Sequence, residues 1–327
     1  MIRLRRMVDP YIILIMMMVV LATLLPAVGR GAAVAGAAAD AGIVFLFFLY
    51  GTRLSLGEAW DGFRLWKLQI AVLASTYMLF PLLGIGFSAL APYTLPPALV
   101  TGFLFLCVLP STVQSSIAFT SIARGNVAAA LCAASASNII GVFLSPLLAG
   151  WLLHTQGAEL SFSVFRDIAL QLLLPFAIGQ VLRPWIGQWI KRHRQILGYA
   201  DRGSILLIIY VAFSKGMADN IWSQIGVGDL AVLSLMLTIL LALALFMTGA
   251  LARRVMRLRM EDEIVLQFCG SKKSLASGLP MASVLFPGPQ LGLIVLPLML
   301  FHQLQLVVCA VLARHYAARP EQDHDVA

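Results

Sequence analysis

The chain has 327 residues, 60 % of them hydrophobic and 12 % charged, with a mean hydropathy of +0.91 and a formal net charge of +8. So much apolar surface with so little charge excludes an ordinary soluble domain or a disordered chain and implies an all-α, polytopic membrane protein. The basic residues form no patch interleaved with aromatics, so the lipid bilayer, and no nucleic acid, is the expected partner.

At the start, Arg3, Arg5 and Arg6 precede an apolar run closed by Ala27-Val28-Gly29, which imitates a secretory signal. Its removal would leave an odd number of spans, so the segment is read as retained. Apolar spans follow at 11–28, 39–52, 68–90, 95–122, 127–153, 164–182, 203–218, 230–252, 263–286 and 290–313, ten helices in all. The span 39–52 is short unless it borrows from its flanks. Pro81, Pro146, Pro175 and Pro297 read as ordinary kinks, and Cys107, Cys132, Cys269 and Cys309 as buried free thiols.

With both termini placed in the cytoplasm, the loops on that side hold 18 of the 23 lysines and arginines. Arg30, Arg166 and Lys215 fall outside, and Lys272 and Lys273 fall within the ninth span. That bias follows the positive-inside rule and places the protein in the bacterial cytoplasmic (inner) membrane. Ten spans divide into two sets of five, 1–155 and 156–327, and an odd number per set makes the second enter from the opposite face. The chain is therefore expected to be an inverted repeat.

Such repeats place their sites where corresponding helices are interrupted. The fourth span carries Pro110 followed by Ser111, Thr112, Gln114, Ser115 and Ser116; the ninth carries Gly270, Ser271, Lys272, Lys273 and Ser274. Proline removes a helix hydrogen bond and glycine loosens the backbone, so both spans are expected to unwind there and offer backbone groups as ligands. In the spans that follow, Ser135, Ser137 and Asn138 match His302, Gln303 and Gln305 in depth, either lining the site or bonding helix to helix.

The two lysines lie ~15 Å from the polar start at Glu261-Asp262-Glu263, close to the middle of a ~30 Å hydrocarbon layer. All fifteen carboxylates, Asp40 among them, are placed in loops, tails or span ends. Each lysine must then be answered in one of three ways: by losing its proton through burial, by an anionic substrate, or by the carbonyl end of a half-helix. The loops hold no nucleotide-binding motif, so ATP is not the energy source. Sodium or a proton remains as coupling ion, with no other cofactor.

The strings Leu-Pro-Ser-Thr-Val-Gln-Ser-Ser at 109–116 and Phe-Cys-Gly-Ser-Lys-Lys-Ser-Leu-Ala-Ser-Gly at 268–278 resemble the bile acid:sodium symporter family, in its divergent SBF-like branch. The resemblance implies a panel domain of spans 1, 2, 6 and 7, a core domain of spans 3 to 5 and 8 to 10, two crossed broken helices, and substrate bound between the domains. It also implies that Cys269 stands where the family has its sodium-binding glutamate and Lys273 where it has a glutamine. Membership argues for sodium coupling, and these replacements argue against it. The expected activity is secondary transport of an organic anion by alternating access, without enzymatic chemistry. A sensor with a transporter-like fold and an intramembrane hydrolase pairing a serine with His302 are the alternatives; for the latter, a Gly-x-Ser-x-Gly elbow is missing.

Overall fold

A computed structural model describes residues 10–53, 65–89, 95–154, 166, 169–220, 223 and 225–319. Every regular element among them is helical. We label them α1 (Pro10–Leu24), α2 (Gly29–Arg53), α3 (Trp66–Ser88), α4 (Pro97–Val108), α5 (Gln114–Ile122), α6 (Val127–His154), α7 (Leu174–Arg192), α8 (Arg194–Ala218), α9 (Val227–Val255), α10 (Met260–Gly270), α11 (Leu275–Leu285) and α12 (Leu291–Ala317). Six of these, α2, α3, α6, α8, α9 and α12, are each long and apolar enough to cross a membrane. The basic cluster Arg3, Arg5 and Arg6, together with Arg64, Glu58, Asp61, Glu159 and the acidic C-terminal tail, lies outside the described residues.

Several boundaries differ from the sequence expectation. The second span borrows ten residues from its flank and starts at Gly29, because the Ala-rich stretch before Asp40 forms helix readily although it is only weakly apolar. Asp40, expected at a span end, thus sits well inside α2 on an exposed face. The basic stretch between the sixth and seventh spans, expected as a loop, is helix on both sides of His193. Arg, Lys and Gln are good helix formers even where they are too polar for lipid. Asp201 consequently lies within α8, where it pairs with Arg53 at 2.7 Å.

Helices α1, α2, α7 and α8 pack on one another, α2 against α7 and α8, and α1 against α8. Gly51 lets α2 approach α7 closely, since a Cβ there would collide with the carbonyl of Phe176. Around the remaining helices, α12 packs on α4 and α9, and α10 on α3, α5, α6 and α9. Helix α8 touches both α11 and α12, and the Tyr50 hydroxyl donates to the Ala276 carbonyl at 3.2 Å, joining the two groups of helices.

Candidate functional site: two interrupted helices and two buried lysines

The fourth span breaks at 109–113 between α4 and α5, and the ninth at 271–274 between α10 and α11. The breaks lie side by side: the Ser274 N–H donates to the Pro110 carbonyl at 2.8 Å, and the Ser116 hydroxyl donates to the Phe268 carbonyl at 3.1 Å. An unwound segment in an apolar core must find partners for its free peptide groups. Both breaks find them on the helix that follows. From α6, Ser137 Oγ accepts from the Ser111 N–H at 3.0 Å, and Asn138 Nδ2 donates to the Ser111 carbonyl at 2.7 Å. From α12, Gln305 takes both ends of one residue, its Oε1 accepting from the Lys273 N–H and its Nε2 donating to the Lys273 carbonyl, each at 2.9 Å. The same Nε2 lies 3.0 Å from His302 Nδ1; an amide nitrogen only donates, so that ring nitrogen accepts.

Lys273 is completely buried, and its Nζ donates to the carbonyls of Thr76, Cys107 and Leu109 at 2.8, 2.9 and 2.8 Å, with the Phe80 ring centroid 4.2 Å away. The local sequence explains why three carbonyls are free. Within α3, Ser75–Leu79 is a π turn in which the Phe80 N–H bonds back to Ser75. The next donor in that register belongs to position 81, which is proline, so the Thr76 carbonyl has no helix partner. Pro81 is therefore more than a kink: it opens one corner of the lysine's cage. At the end of α4, Pro110 has no N–H and the Ser111 N–H is turned to Ser137, which frees Cys107, while Leu109 is already extended (ψ 154°), so its carbonyl has left the helix. The negative end of the α4 dipole faces the ammonium as well. Gly141 admits this packing, since a Cβ there would press on the Tyr77 hydroxyl and the Pro110 ring.

Lys272 is also completely buried but is held differently. Its Nζ bonds to Ser115 Oγ at 3.0 Å and lies over the rings of Phe119 and Phe268, at 4.4 and 5.8 Å from their centroids. Ser115 continues to Thr112 at 2.9 Å, and Thr112 to Ser116 at 3.1 Å. Among the described residues no carboxylate pairs with either lysine. The acids at the start of α10 are engaged elsewhere: Glu263 with Arg253 at 2.7 Å and with the Tyr316 hydroxyl at 2.8 Å, Asp262 with Asn126 at 2.9 Å, and Glu261 with Arg319 at 3.9 Å.

Of the residues singled out in the sequence, Ser111, Thr112, Ser115, Ser116, Asn138, Lys272, Lys273, Ser274 and His302 gather around the paired breaks. Ser274 caps α11, its Oγ accepting from the Ser277 N–H at 3.2 Å, while Ser277 donates to Asn138 Oδ1 at 2.9 Å. Ser271 turns back to the Gln267 carbonyl of its own helix, and the Cys269 thiol points to the Ala130 carbonyl at 3.7 Å. Gln114 is exposed, and neither it nor Gln303 joins the hydrogen bonds of the cluster. Ser111 Oγ is fully buried and has no hydrogen-bond partner among the described residues. Sequence reasoning did not supply Thr76, Cys107 and Leu109, which act through their backbones, nor a cage-forming role for Pro81. It placed Gln305 at the right depth without marking it as a ligand of the break.

A sequence model of the SBF-like CPA transporter family matches residues 9–318. "Putative symporter YfeH" of Escherichia coli K12 is 46 % identical over 320 residues, covering 98 % of this chain and 96 % of that one. "Uncharacterized protein PA2026" of Pseudomonas aeruginosa is 49 % identical over 312 residues, 95 % and 93 % of the respective chains. "Sodium/bile acid cotransporter 7" of Rattus norvegicus is 26 % identical over 279 residues, 83 % and 80 % of the respective chains.

Proposed function

The chain belongs to the SBF-like CPA transporter family and is a membrane transporter; from that premise we propose that it is a secondary active carrier of a small organic anion, working by alternating access. In this reading α1, α2, α7 and α8 form the panel, and α3 to α6 with α9 to α12 form the core. The halves 1–155 and 156–327 are inverted repeats that bring their broken helices together. One observation supports the choice of cargo: two lysines are fully buried at the breaks, and among the described residues no carboxylate offsets their charge, which meets only carbonyls, a hydroxyl and ring faces. Fixed positive charge in an apolar core favours cargo of opposite sign. The buried Ser111 hydroxyl, without a protein partner among the described residues, is available to the same cargo.

Coupling to sodium is not required in this reading. A sodium ion at the breaks would need oxygen ligands, and the Thr76, Cys107 and Leu109 carbonyls already serve a tethered cation. The family resemblance to bile acid carriers makes taurocholate the first probe, followed by small mono- and dicarboxylates. Purified protein in proteoliposomes is expected to take up at least one of these, and to do so equally when external sodium is replaced by potassium. Flux that vanishes without sodium would overturn the coupling claim. Saturable binding with no flux for any probe would move the protein to the sensor class.

A further inference from the structure

We propose that Lys272 carries the coupling proton, taking it up and releasing it by way of Ser115, while Lys273 keeps its charge throughout the cycle. This deepens the transport role proposed above and rests on it.

The two amines differ in what surrounds their N–H groups. An ammonium has three donors and no lone pair, and Lys273 meets three carbonyls, which accept and never donate. A neutral amine in that cage would turn a lone pair toward a carbonyl oxygen, so the cage suits the ammonium alone. Lys272 meets a single oxygen, the Ser115 hydroxyl, which is able to accept from an ammonium or donate to a neutral amine. The faces of Phe119 and Phe268 lie beside it and attract the cation without requiring it. Both protonation states therefore fit at Lys272.

Other groups around it do not compete for the proton. The Cys269 and Cys309 thiols approach from α10 and α12, and Ser115 and Phe119 from α5. Glu263, the acid buried further along α10, is held by Arg253 and Tyr316. Ser115 also supplies a way out, because it is half-buried whereas Lys272 is fully enclosed. A proton leaving Nζ passes to Ser115 Oγ as that hydroxyl gives up its own hydrogen outward, so the amine ends neutral and the serine unchanged. With Lys273 fixed at one positive charge, a proton taken up on Lys272 together with a monoanion leaves the net charge of the site unchanged.

The test uses purified full-length protein reconstituted on a solid-supported membrane, with pH jumps and no organic anion. The wild type is expected to give a transient displacement current that is lost in Lys272→Gln and in Lys272→Arg and slowed in Ser115→Ala. Lys272→Arg keeps a permanent cation in place, so it separates loss of titration from loss of folding, which size-exclusion elution checks in each variant. A current that persists in both lysine variants, or is absent from the wild type, would overturn the proposal. Because no cargo is needed, a current without taurocholate or carboxylate flux would count against the transport role alone. Flux indifferent to an imposed pH gradient would count against proton coupling alone.

Discussion

At 109–113 the chain gives the N–H and carbonyl of Ser111 to two residues, Ser137 and Asn138 on α6, whereas at 271–274 the single amide of Gln305 on α12 takes both groups of Lys273. The two breaks use the same device, a polar side chain from the helix after the broken pair. They differ in charge. The first break and α3 offer carbonyls and the second break supplies the cation they surround, so the two breaks are alike in support and complementary in chemistry. It follows that damage to Lys273 should reach both breaks, while damage to Gln305 or Ser137 should stay within one.

Lys273→Met tests this most severely. It leaves the carbonyls of Thr76, Cys107 and Leu109 buried and unpaired, and at about 1–3 kcal/mol for each unsatisfied buried group an overall loss of roughly 3–6 kcal/mol is expected. Thermal unfolding in detergent should show a larger drop than for any substitution at Gln305 or Ser137, with flux abolished. Stability within about 1 kcal/mol of wild type, on the usual scale of a net hydrogen bond, would mean that the cage does not hold the breaks together. Gln305→Leu is next. It strips the N–H and C=O of Lys273 at once, and at about 1–3 kcal/mol for each unsatisfied buried group an overall loss of roughly 2–4 kcal/mol is expected. Hydrogen exchange should rise at 271–274 and not at 109–113; protection lost at both breaks would remove the distinction between them. Ser137→Ala should be mildest, near ~1 kcal/mol, because Asn138 still holds the Ser111 carbonyl. Its exchange signature belongs to the first break.

The clusters Pro110 to Ser116 and Gly270 to Ser274 could be located from the chain alone, because proline, glycine and hydroxyl side chains inside an apolar run have few other uses. Lys272 and Lys273 were equally visible as unexplained charge. Their partners were not. Lys273 is answered by peptide carbonyls, which every residue possesses and which no side chain identity advertises. Pro81 looked like any membrane-helix proline until the neighbouring π turn showed which carbonyl it leaves free. Asp40 and the basic stretch around Lys191 to Arg202 were misplaced for a different reason: hydropathy measures fitness for lipid, and these segments are helical without being strongly apolar.

Composition and apolar spacing determined that this protein is helical, belongs in a bilayer and is interrupted at two places, since burial of unpaired peptide groups in hydrocarbon leaves a chain little else to do. Tertiary packing decided that one lysine is enclosed by three carbonyls while its neighbour meets a single hydroxyl. Adjacent residues of an unwound segment point in different directions, and only the helices arriving from elsewhere in the chain fix what each one meets.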